Sequence, residues 1–238
     1  QNFEVVGIMS VGLFGQPADI TRISAFAETH GLWLLDDAAQ SFGSTWKGQK
    51  TGTFGHVTTT SFFPAKPLGC YGDGGAVFTN DDKIAEIAIS CRVHGQGNDK
   101  YENERIGMTA RLDTIQAAIL LSKLTIFTDE LEARQYRAER YQALLGNQVA
   151  TPVLSPDATS SWAQYCIKLP KTSNRDHVIN HLSACGVPTA IYYPIPMHQQ
   201  SPYREFPQSQ SGLGVTLDLC RRVLALPMHP YLNEAQQQ

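Results

Sequence analysis

The chain has little of what marks several classes of protein. Its 19 basic and 22 acidic side chains leave a net charge of −3 over 238 residues, which is too small to favour nucleic acid or an anionic membrane surface as the main partner. Asp, Gly, Pro or Lys interrupts every apolar run before it reaches the length of a membrane span. The first ten residues lack the basic start and apolar core of a signal peptide. We therefore expect a cytoplasmic protein without nucleic-acid or membrane partners.

Cysteine is scarce and scattered. The five cysteines are odd in number and form no C-x-x-C pair, which disfavours both a disulfide framework and a zinc site. No metal is therefore expected. The hydrophobic fraction of 42% and the charged fraction of 17% are those of an ordinary globular protein, with enough residues for one large domain or two small ones.

What is present begins with a strand–helix–strand pattern. Residues 5–11 form an apolar run typical of a buried strand, residues 17–19 (Pro-Ala-Asp) open a helix that Gly31 ends, and residues 32–35 form a second apolar run. In a parallel sheet such a unit has a right-handed crossover. Two further strands and a helix capped by Asn and Asp are expected at residues 58–63, 76–79 and 80–88. The first half therefore predicts an α/β fold with a mostly parallel sheet.

The second half begins with a helical pattern over residues 113–145, in two helices or one bent helix. The apolar positions that should carry its first part are Ile115, Ala118, Ile119, Leu121, Leu124 and Phe127. Its second part has a charged face that we expect to be solvated, formed by Arg134, Arg137, Glu139 and Arg140.

After residue 149 the composition changes to a linker rich in proline, serine and threonine. A strand over residues 162–169, a helix over 175–184 and a strand over 188–193 then indicate a smaller α+β domain. We therefore expect a large domain at residues 1–127, an interdomain helix at 128–149 and the small domain at 150–238.

The segment at residues 61–69 (Ser-Phe-Phe-Pro-Ala-Lys-Pro-Leu-Gly) contains Lys66, the most informative residue of the chain. Two prolines flank this lysine and a glycine cluster follows it, an unusual setting for a solvated charge, although a surface lysine in a turn is the alternative. An amine held in a fixed position can act as a nucleophile toward a carbonyl group. Ser61 could bind a phosphate oxygen, and the glycines at 69–75 permit close backbone approach. An amine and a small phosphate cup are what pyridoxal phosphate requires.

Asp37 and Gln40 provide the second part of this candidate site. Ligands of open α/β sheets bind beyond the carboxyl ends of the strands, and Asp37 follows the apolar run at 32–35. A carboxylate there could keep the pyridine nitrogen of the cofactor protonated, and Gln40 could donate to the ring hydroxyl. An Asp that caps the next turn is the plainer alternative. The neighbouring Asp36 should point the other way, because side chains alternate along a strand.

Arg111 and His198 are weaker candidates. Arg111 precedes the long helical stretch and suits a carboxylate or phosphate partner, but a salt bridge at the helix start explains it equally well. His198 lies in a proline-rich loop, where it could reach a substrate or simply be exposed.

These motifs, in this order, resemble the DegT/DnrJ/EryC1/StrS family of sugar aminotransferases, a branch of the fold-type I pyridoxal-phosphate enzymes. The likeness runs over residues 6–232. The segments that carry it are Gly15-Gln16-Pro17-Ala18-Asp19, Asp37-Ala38-Ala39-Gln40, Ser61-Phe62-Phe63-Pro64-Ala65-Lys66, Gly72-Asp73-Gly74-Gly75 and Arg111-Leu112-Asp113. The resemblance implies the aspartate aminotransferase-like fold, with residues 1–127 forming the C-terminal part of the cofactor-binding domain.

The resemblance also implies roles for single residues. Lys66 would bind pyridoxal 5'-phosphate covalently, Asp37 would contact the pyridine nitrogen, and Gln40 the ring hydroxyl. Ser61 would bind the phosphate. The resemblance further implies a homodimer with shared active sites, in which Arg111 reaches substrate or the glutamate donor and His198 contacts the sugar.

The activity implied is transfer of an amino group from L-glutamate to a keto carbon of a nucleotide-linked sugar, in cell-surface polysaccharide or related amino-sugar biosynthesis. Residues 67–71 and 162–165 look like those of the transaminases of UDP-linked 2-acetamido-3-keto-hexuluronic acid. A sugar dehydratase of the same fold would have histidine in place of Lys66, so the lysine argues against that activity.

Two features depart from the family pattern. Many members carry Asn where this chain has Thr109, and they have a long N-terminal portion ahead of the position that matches Gln1. The alternative that these departures suggest is a catalytically inactive or regulatory protein of the same fold.

Overall fold

The computed structural model describes residues 4–99 and 101–238. Their contacts divide the chain into two compact units. The described residues up to Glu132, together with Leu154–Ala163, form the first unit. The second unit comprises Ala133–Val153 and Gln164–Gln238.

A four-stranded sheet forms the centre of the first unit. Its strands are β1 (Gly7–Val11), β2 (Trp33–Asp37), β5 (Val57–Ser61) and β6 (Gly75–Phe78), in that spatial order. The first three are parallel, and β6 runs antiparallel to β5. A short hairpin of β3 (Thr45–Trp46) and β4 (Gln49–Lys50) lies between β2 and β5 in the sequence. The predicted α/β class and the mostly parallel sheet are confirmed.

The crossover helix α1 (Ile20–His30) has the ends that the sequence predicts. The Asp19 carboxylate accepts a hydrogen bond from the Arg22 amide, and Gly31 ends the helix in the left-handed conformation, with φ of 63°. Ile20 and Ala27 on its inner face pack with Leu34 of β2 and with Trp46 and Phe54 in one apolar cluster.

The two faces of the sheet differ in exposure. Side chains alternate across a strand, and one face of β2 and β5 is buried through Leu34, Asp36, Thr58 and Thr60. The opposite face carries Asp37, Thr59 and Ser61, which are half-buried. On β1 the same outward alternation leaves Met9 60% and Val11 46% exposed. The expectation that residues 5–11 form a buried strand is therefore wrong for this edge strand.

Three helices follow the sheet in the chain. They are α2 (Asp82–Arg92), α3 (Thr114–Leu124) and α4 (Phe127–Leu145). The Asp81 carboxylate caps α2 through the amides of Lys83 and Ile84. The stretch predicted as two helices or one bent helix is thus two.

The packing of α3 agrees only in part with the prediction. Ile119 packs into an apolar cluster and Phe127, the first residue of α4, is buried, both as predicted. Leu120, which was not among the predicted positions, is the buried residue of α3 and packs with Phe62, Leu68, Cys70 and Phe127. The predicted apolar positions Ile115, Leu121 and Leu124 are instead exposed. Because α3 is apolar on several sides, periodicity alone could not select the packed one.

The second unit contains the later part of α4, a two-stranded sheet and two further helices. The strands are β7 (Tyr165–Lys168) and β8 (Val223–Leu226), which are antiparallel, and the helices are α5 (Arg175–Ala184) and α6 (Gly214–Arg222). Residues 188–193, which were predicted to be a strand, make only an isolated bridge between Ala190 and Ala225.

The charged side of α4 is another correction. Arg134 is buried and donates to the carbonyl oxygen of Met228, and Arg137 donates to that of Leu232. Arg140 forms an ion pair of 3.4 Å with Glu234. These arginines therefore bind the C-terminal segment rather than forming only a solvated face.

Candidate active site

The carboxyl ends of β1, β2 and β5 meet at one edge of the sheet. Val11 pairs with Asp37, and Asp37 pairs with Thr59. Ser61 lies two residues beyond Thr59 and therefore on the same face of the sheet as Asp37. The antiparallel β6 brings Gly75 to this edge opposite Ser61. The fold thus brings together the carboxylate and the hydroxyl that the sequence assigns to one site.

Asp37 is held in place by its own turn. One carboxylate oxygen accepts a hydrogen bond of 2.9 Å from the Ala39 amide, and the backbone carbonyl accepts one of 3.0 Å from the Gly12 amide. The plainer interpretation, an Asp that caps the next turn, is therefore confirmed. Because only one side-chain oxygen is needed for the cap, the carboxylate can bind a second donor as well.

Asp36 is directed to the opposite face, as predicted. Its carboxylate is buried and accepts a hydrogen bond of 2.7 Å from the Ser10 hydroxyl. Burial raises the pKa of Asp36, the Ser10 hydrogen bond opposes that rise, and the charge of Asp37 adds to it. Asp36 and Asp37 thus differ only in the face of β2 to which each side chain points, which places Asp36 in the core and leaves Asp37 half-buried.

Gln40 is buried and fixed by a contact that sequence reasoning missed. Its side-chain oxygen accepts a hydrogen bond of 2.6 Å from the Phe14 amide. Phe14 lies in the turn after β1 and has a positive φ of 62°. The signal in the sequence was the pair Gly12 and Gly15 directly after the strand, which is typical of a tight turn.

That turn is itself locked to its surroundings. The Gly15 carbonyl accepts hydrogen bonds from the Ser44 hydroxyl and the Ser161 amide. A side chain at Gly15, which has φ of 114°, would come within 2.6 Å of the Trp162 amide nitrogen. The orientation of Gln40 is therefore supported by a second layer of fixed backbone.

Ser61 lies opposite Gly75, the first residue of β6, which Gly74 precedes. The Ser61 hydroxyl accepts a hydrogen bond of 3.2 Å from the Phe63 amide, and the Phe62 amide donates to the Gly74 carbonyl at 2.7 Å. A Cβ on Gly75 would lie 2.7 Å from the Thr60 carbonyl oxygen. Only glycine fits the backbone approach here.

Lys66 lies in the loop that joins β5 to β6, which we call the lysine loop (residues 62–74). Its amide donates to the Phe63 carbonyl at 2.8 Å, so the lysine sits in a tight turn. The side chain is half-buried, and its amine forms no ion pair within the described ranges 4–99 and 101–238. No carboxylate among the described residues therefore pairs with this amine.

The other two candidates, Arg111 and His198, come later in the chain. Arg111 is exposed, precedes α3 and its cap Asp113, and makes no ion pair with any residue that the structure describes. A helix-start salt bridge is therefore not what holds it. His198 belongs to the second unit, in a 3₁₀ turn at Met197–Gln199. Thr109 lies within hydrogen-bonding distance of the His94 ring, at 3.3 Å.

A cavity of about 1100 Å³ lies in the first unit, and Thr59 and Gly75 of the site's strands are among the residues that line it. Residues of α2 and the residues Met108, Ala110 and Leu112 also line it, whereas none of the six candidate residues does. The described residues contain no cluster of His, Cys, Asp and Glu suited to a metal ion. None of the helices formed by these residues is long and apolar enough to cross a membrane.

The model of the DegT/DnrJ/EryC1/StrS aminotransferase family matches residues 4–238. The chain belongs to this family. The UDP-2-acetamido-2-deoxy-3-oxo-D-glucuronate aminotransferase of Pseudomonas aeruginosa is 44% identical over 229 residues, which are 96% of this chain and 62% of that protein. The pleiotropic regulatory protein of Geobacillus stearothermophilus is 39% identical over 97% of this chain and 62% of its own length.

Solved structures of this family show the same fold. The crystal structure of a DegT/DnrJ/EryC1/StrS aminotransferase from Brucella abortus superposes with a TM-score of 0.94 and is 50% identical, covering 98% of this chain and 61% of that one. The chain thus spans about 62% of the length of the curated relatives named above.

Proposed function

We propose that the protein containing this chain is a pyridoxal-phosphate-dependent aminotransferase. It would move an amino group from L-glutamate to a keto carbon of a nucleotide-linked sugar. The observation that carries the proposal is the meeting of Asp37, Gln40 and Ser61 at one sheet edge, with Lys66 in the loop that leaves this edge.

The residues present fit this cofactor by their chemistry. Asp37 offers a carboxylate for a pyridinium nitrogen, and its backbone is fixed by Gly12. Ser61, beside the tight backbone at Gly74 and Gly75, offers a hydroxyl for a phosphate. Lys66 supplies a half-buried primary amine for an aldehyde.

Each residue then has a defined task. When bound, pyridoxal phosphate supplies the electron sink that stabilises a carbanion. Asp37 would keep the pyridine nitrogen protonated, and Gln40, oriented by the Phe14 amide, would contact the ring hydroxyl. Lys66 would hold the cofactor until the amino donor displaces its amine. The freed amine would then take the proton from the Cα of glutamate as general base and give it to the cofactor carbon as general acid.

The substrate proposal follows the relatives. The Pseudomonas aeruginosa relative, at 44% identity, is named for a UDP-linked 3-oxo-glucuronate. We therefore assign this protein a UDP-3-keto-hexuronic acid type of substrate, in cell-surface polysaccharide or related amino-sugar biosynthesis. Arg111 and His198 would bind substrate.

The proposed setting is a cytoplasmic homodimer with shared active sites. The proposed domain limits are 1–127, 128–149 and 150–238, with the first range forming the C-terminal part of the cofactor-binding domain. The absence of a helix suited to crossing a membrane, among the described residues, is compatible with this setting.

The decisive experiment compares two lysine variants of the full-length protein. Lys66→Ala should lower turnover by about 10²–10⁴-fold, the contribution of one positioned acid–base group, while thermal unfolding stays unchanged. Lys83→Ala, at an exposed lysine in the first turn of α2, should leave turnover unchanged. Turnover is measured as 2-oxoglutarate released from glutamate against a panel of nucleotide-linked keto sugars.

Two results would contradict the proposal. One is full turnover in Lys66→Ala. The other is a bound cofactor whose absorbance never responds to any amino donor, which would favour the regulatory alternative.

A further inference from the structure

The lysine loop is bound to α3 by three side chains on one helical stripe. Gln116, Leu120 and Lys123 are spaced four and then three residues apart, so they face the same side of the helix. Leu120 lies in the middle of the stripe and is buried against Phe62, Leu68 and Cys70 of the loop. The polar residues lie one turn to either side of this apolar anchor.

The two polar side chains hold the backbone of the loop. The Lys123 ammonium donates a hydrogen bond of 2.6 Å to the Gly69 carbonyl and lies 5.7 Å from the centre of the Tyr71 ring. The Gln116 side-chain oxygen accepts a hydrogen bond of 2.8 Å from the Tyr71 amide. Lys123 forms no ion pair within the described part of the chain, so its charge acts on a carbonyl and an aromatic face.

The loop between these points cannot easily adjust. The Cys70 thiol is fully buried, and its sulfur lies 3.0 Å from the carbonyl oxygens of both Phe62 and Gly72, either of which can accept its hydrogen bond. A Cβ on Gly69 would lie 2.6 Å from the Pro64 carbonyl oxygen. A shift of Gly69 or Tyr71 would therefore be transmitted to the turn that carries Lys66.

We propose that Gln116 and Lys123 are positioning residues, which aim the Lys66 amine by fixing the lysine loop against α3. This proposal rests on the catalytic role proposed for Lys66. Neither residue touches the reacting atoms in this account. They act through Gly69 and Tyr71, three and five residues after Lys66.

The test uses pairs of variants in the full-length protein. Gln116→Met and Lys123→Met remove the acceptor and the donor while keeping the side-chain length. Gln116→Glu and Lys123→Arg keep an oxygen acceptor and a cationic donor. Lys83→Met is the control for losing an exposed lysine on another helix.

Hydrogen exchange is the first measurement and needs no activity. In the two Met variants the Tyr71 amide region should exchange about tenfold faster, the factor for one lost hydrogen bond. It should exchange at the wild-type rate in Gln116→Glu and Lys123→Arg and in the Lys83→Met control. Unchanged exchange in both Met variants would overturn the proposal.

Steady-state kinetics and spectroscopy form the second measurement. We expect kcat to fall about 10-fold to 100-fold in the Met variants, because a small misplacement of a catalytic group costs that much, with KM nearly constant. The pH midpoint of the absorbance of the bound cofactor should also move. Faster exchange with unchanged kcat and midpoint would mean a purely structural contact and would sink the idea.

Failure of this inference can be told from failure of the proposed function. Turnover retained in Lys66→Ala removes the catalytic role, whereas exchange at Tyr71 still reports the α3 contact. Should a Met variant fail to fold, Gln116→Ala or Lys123→Ala takes its place with the same expected outcomes. Each of these removes the same polar group without adding apolar surface.

Discussion

The two faces of the four-stranded sheet carry similar polar side chains but differ in how deeply those side chains are buried. On one face Ser10, Asp36 and Thr58 lie side by side across three strands and are buried. One residue further along, Asp37 lies on the other face, the face of Ser61, and is half-buried. The same carboxylate and hydroxyl chemistry is therefore part of the core on one side and open to a ligand on the other. Register, rather than residue type, decides which groups can do chemistry.

The largest effect should come from one substitution at each of the two aspartates, which tests whether the two faces of the sheet differ in function. Asp37→Asn keeps an oxygen for the Ala39 amide but removes the charge, so turnover should fall about 10²-fold, as for other lost electrostatic contacts in active sites. Asp36→Asn, the matched control on the buried face, should leave turnover unchanged. Both are measured as glutamate-dependent turnover of the full-length protein. Equal losses in the two variants would show that the faces do not differ in function.

A second comparison uses one serine from each face. Ser61→Ala should weaken binding of pyridoxal phosphate about tenfold, the value of one hydrogen bond to a charged group. Ser10→Ala removes the bond to Asp36 and should leave cofactor binding unchanged while lowering stability. Fluorescence titration with the cofactor gives the dissociation constants. A larger effect from Ser10→Ala on binding would reverse the assignment of the faces.

The smallest expected effect concerns pH. Burial raises the pKa of Asp36 above its ordinary value of 3.8, so the folded state holds a proton that the unfolded chain has lost. The free energy of unfolding therefore falls as pH rises from 3.8 through the higher folded pKa. Asp36→Asn should flatten this part of the stability curve. Urea unfolding from about pH 4 to 7 measures it, and parallel curves for the two proteins would contradict the expected slope.

Much of the first unit followed from local pattern. Asp19 and Gly31 mark the ends of α1, and Asp81 caps α2, because capping depends on neighbours in the sequence. The opposite directions of Asp36 and Asp37 were also predictable, because neighbouring side chains of a strand point to opposite faces of the sheet. The helix α5 has the predicted bounds, Arg175–Ala184.

What the pattern missed depends on partners distant in the chain. Leu120 rather than Leu121 is the packed residue of α3, because the lysine loop lies on that side. The bond from the Phe14 amide to Gln40 spans 26 residues and could not be deduced from the glycines alone. Helix α6 and strand β8 were not predicted, and residues 188–193 failed to extend the sheet beyond a single bridge. The roles of Arg111 and His198 stay predictions.

The edge strand β1 affects how the protein behaves in solution. Among the residues that the structure describes, β1 pairs only with β2, and its Met9 and Val11 side chains are exposed. An open strand border with apolar side chains is a template onto which another extended chain can add, and it is the usual starting point for aggregation. We therefore expect samples of this chain to need protection against aggregation through β1. Low protein concentration or a charged residue in place of Met9 would provide it.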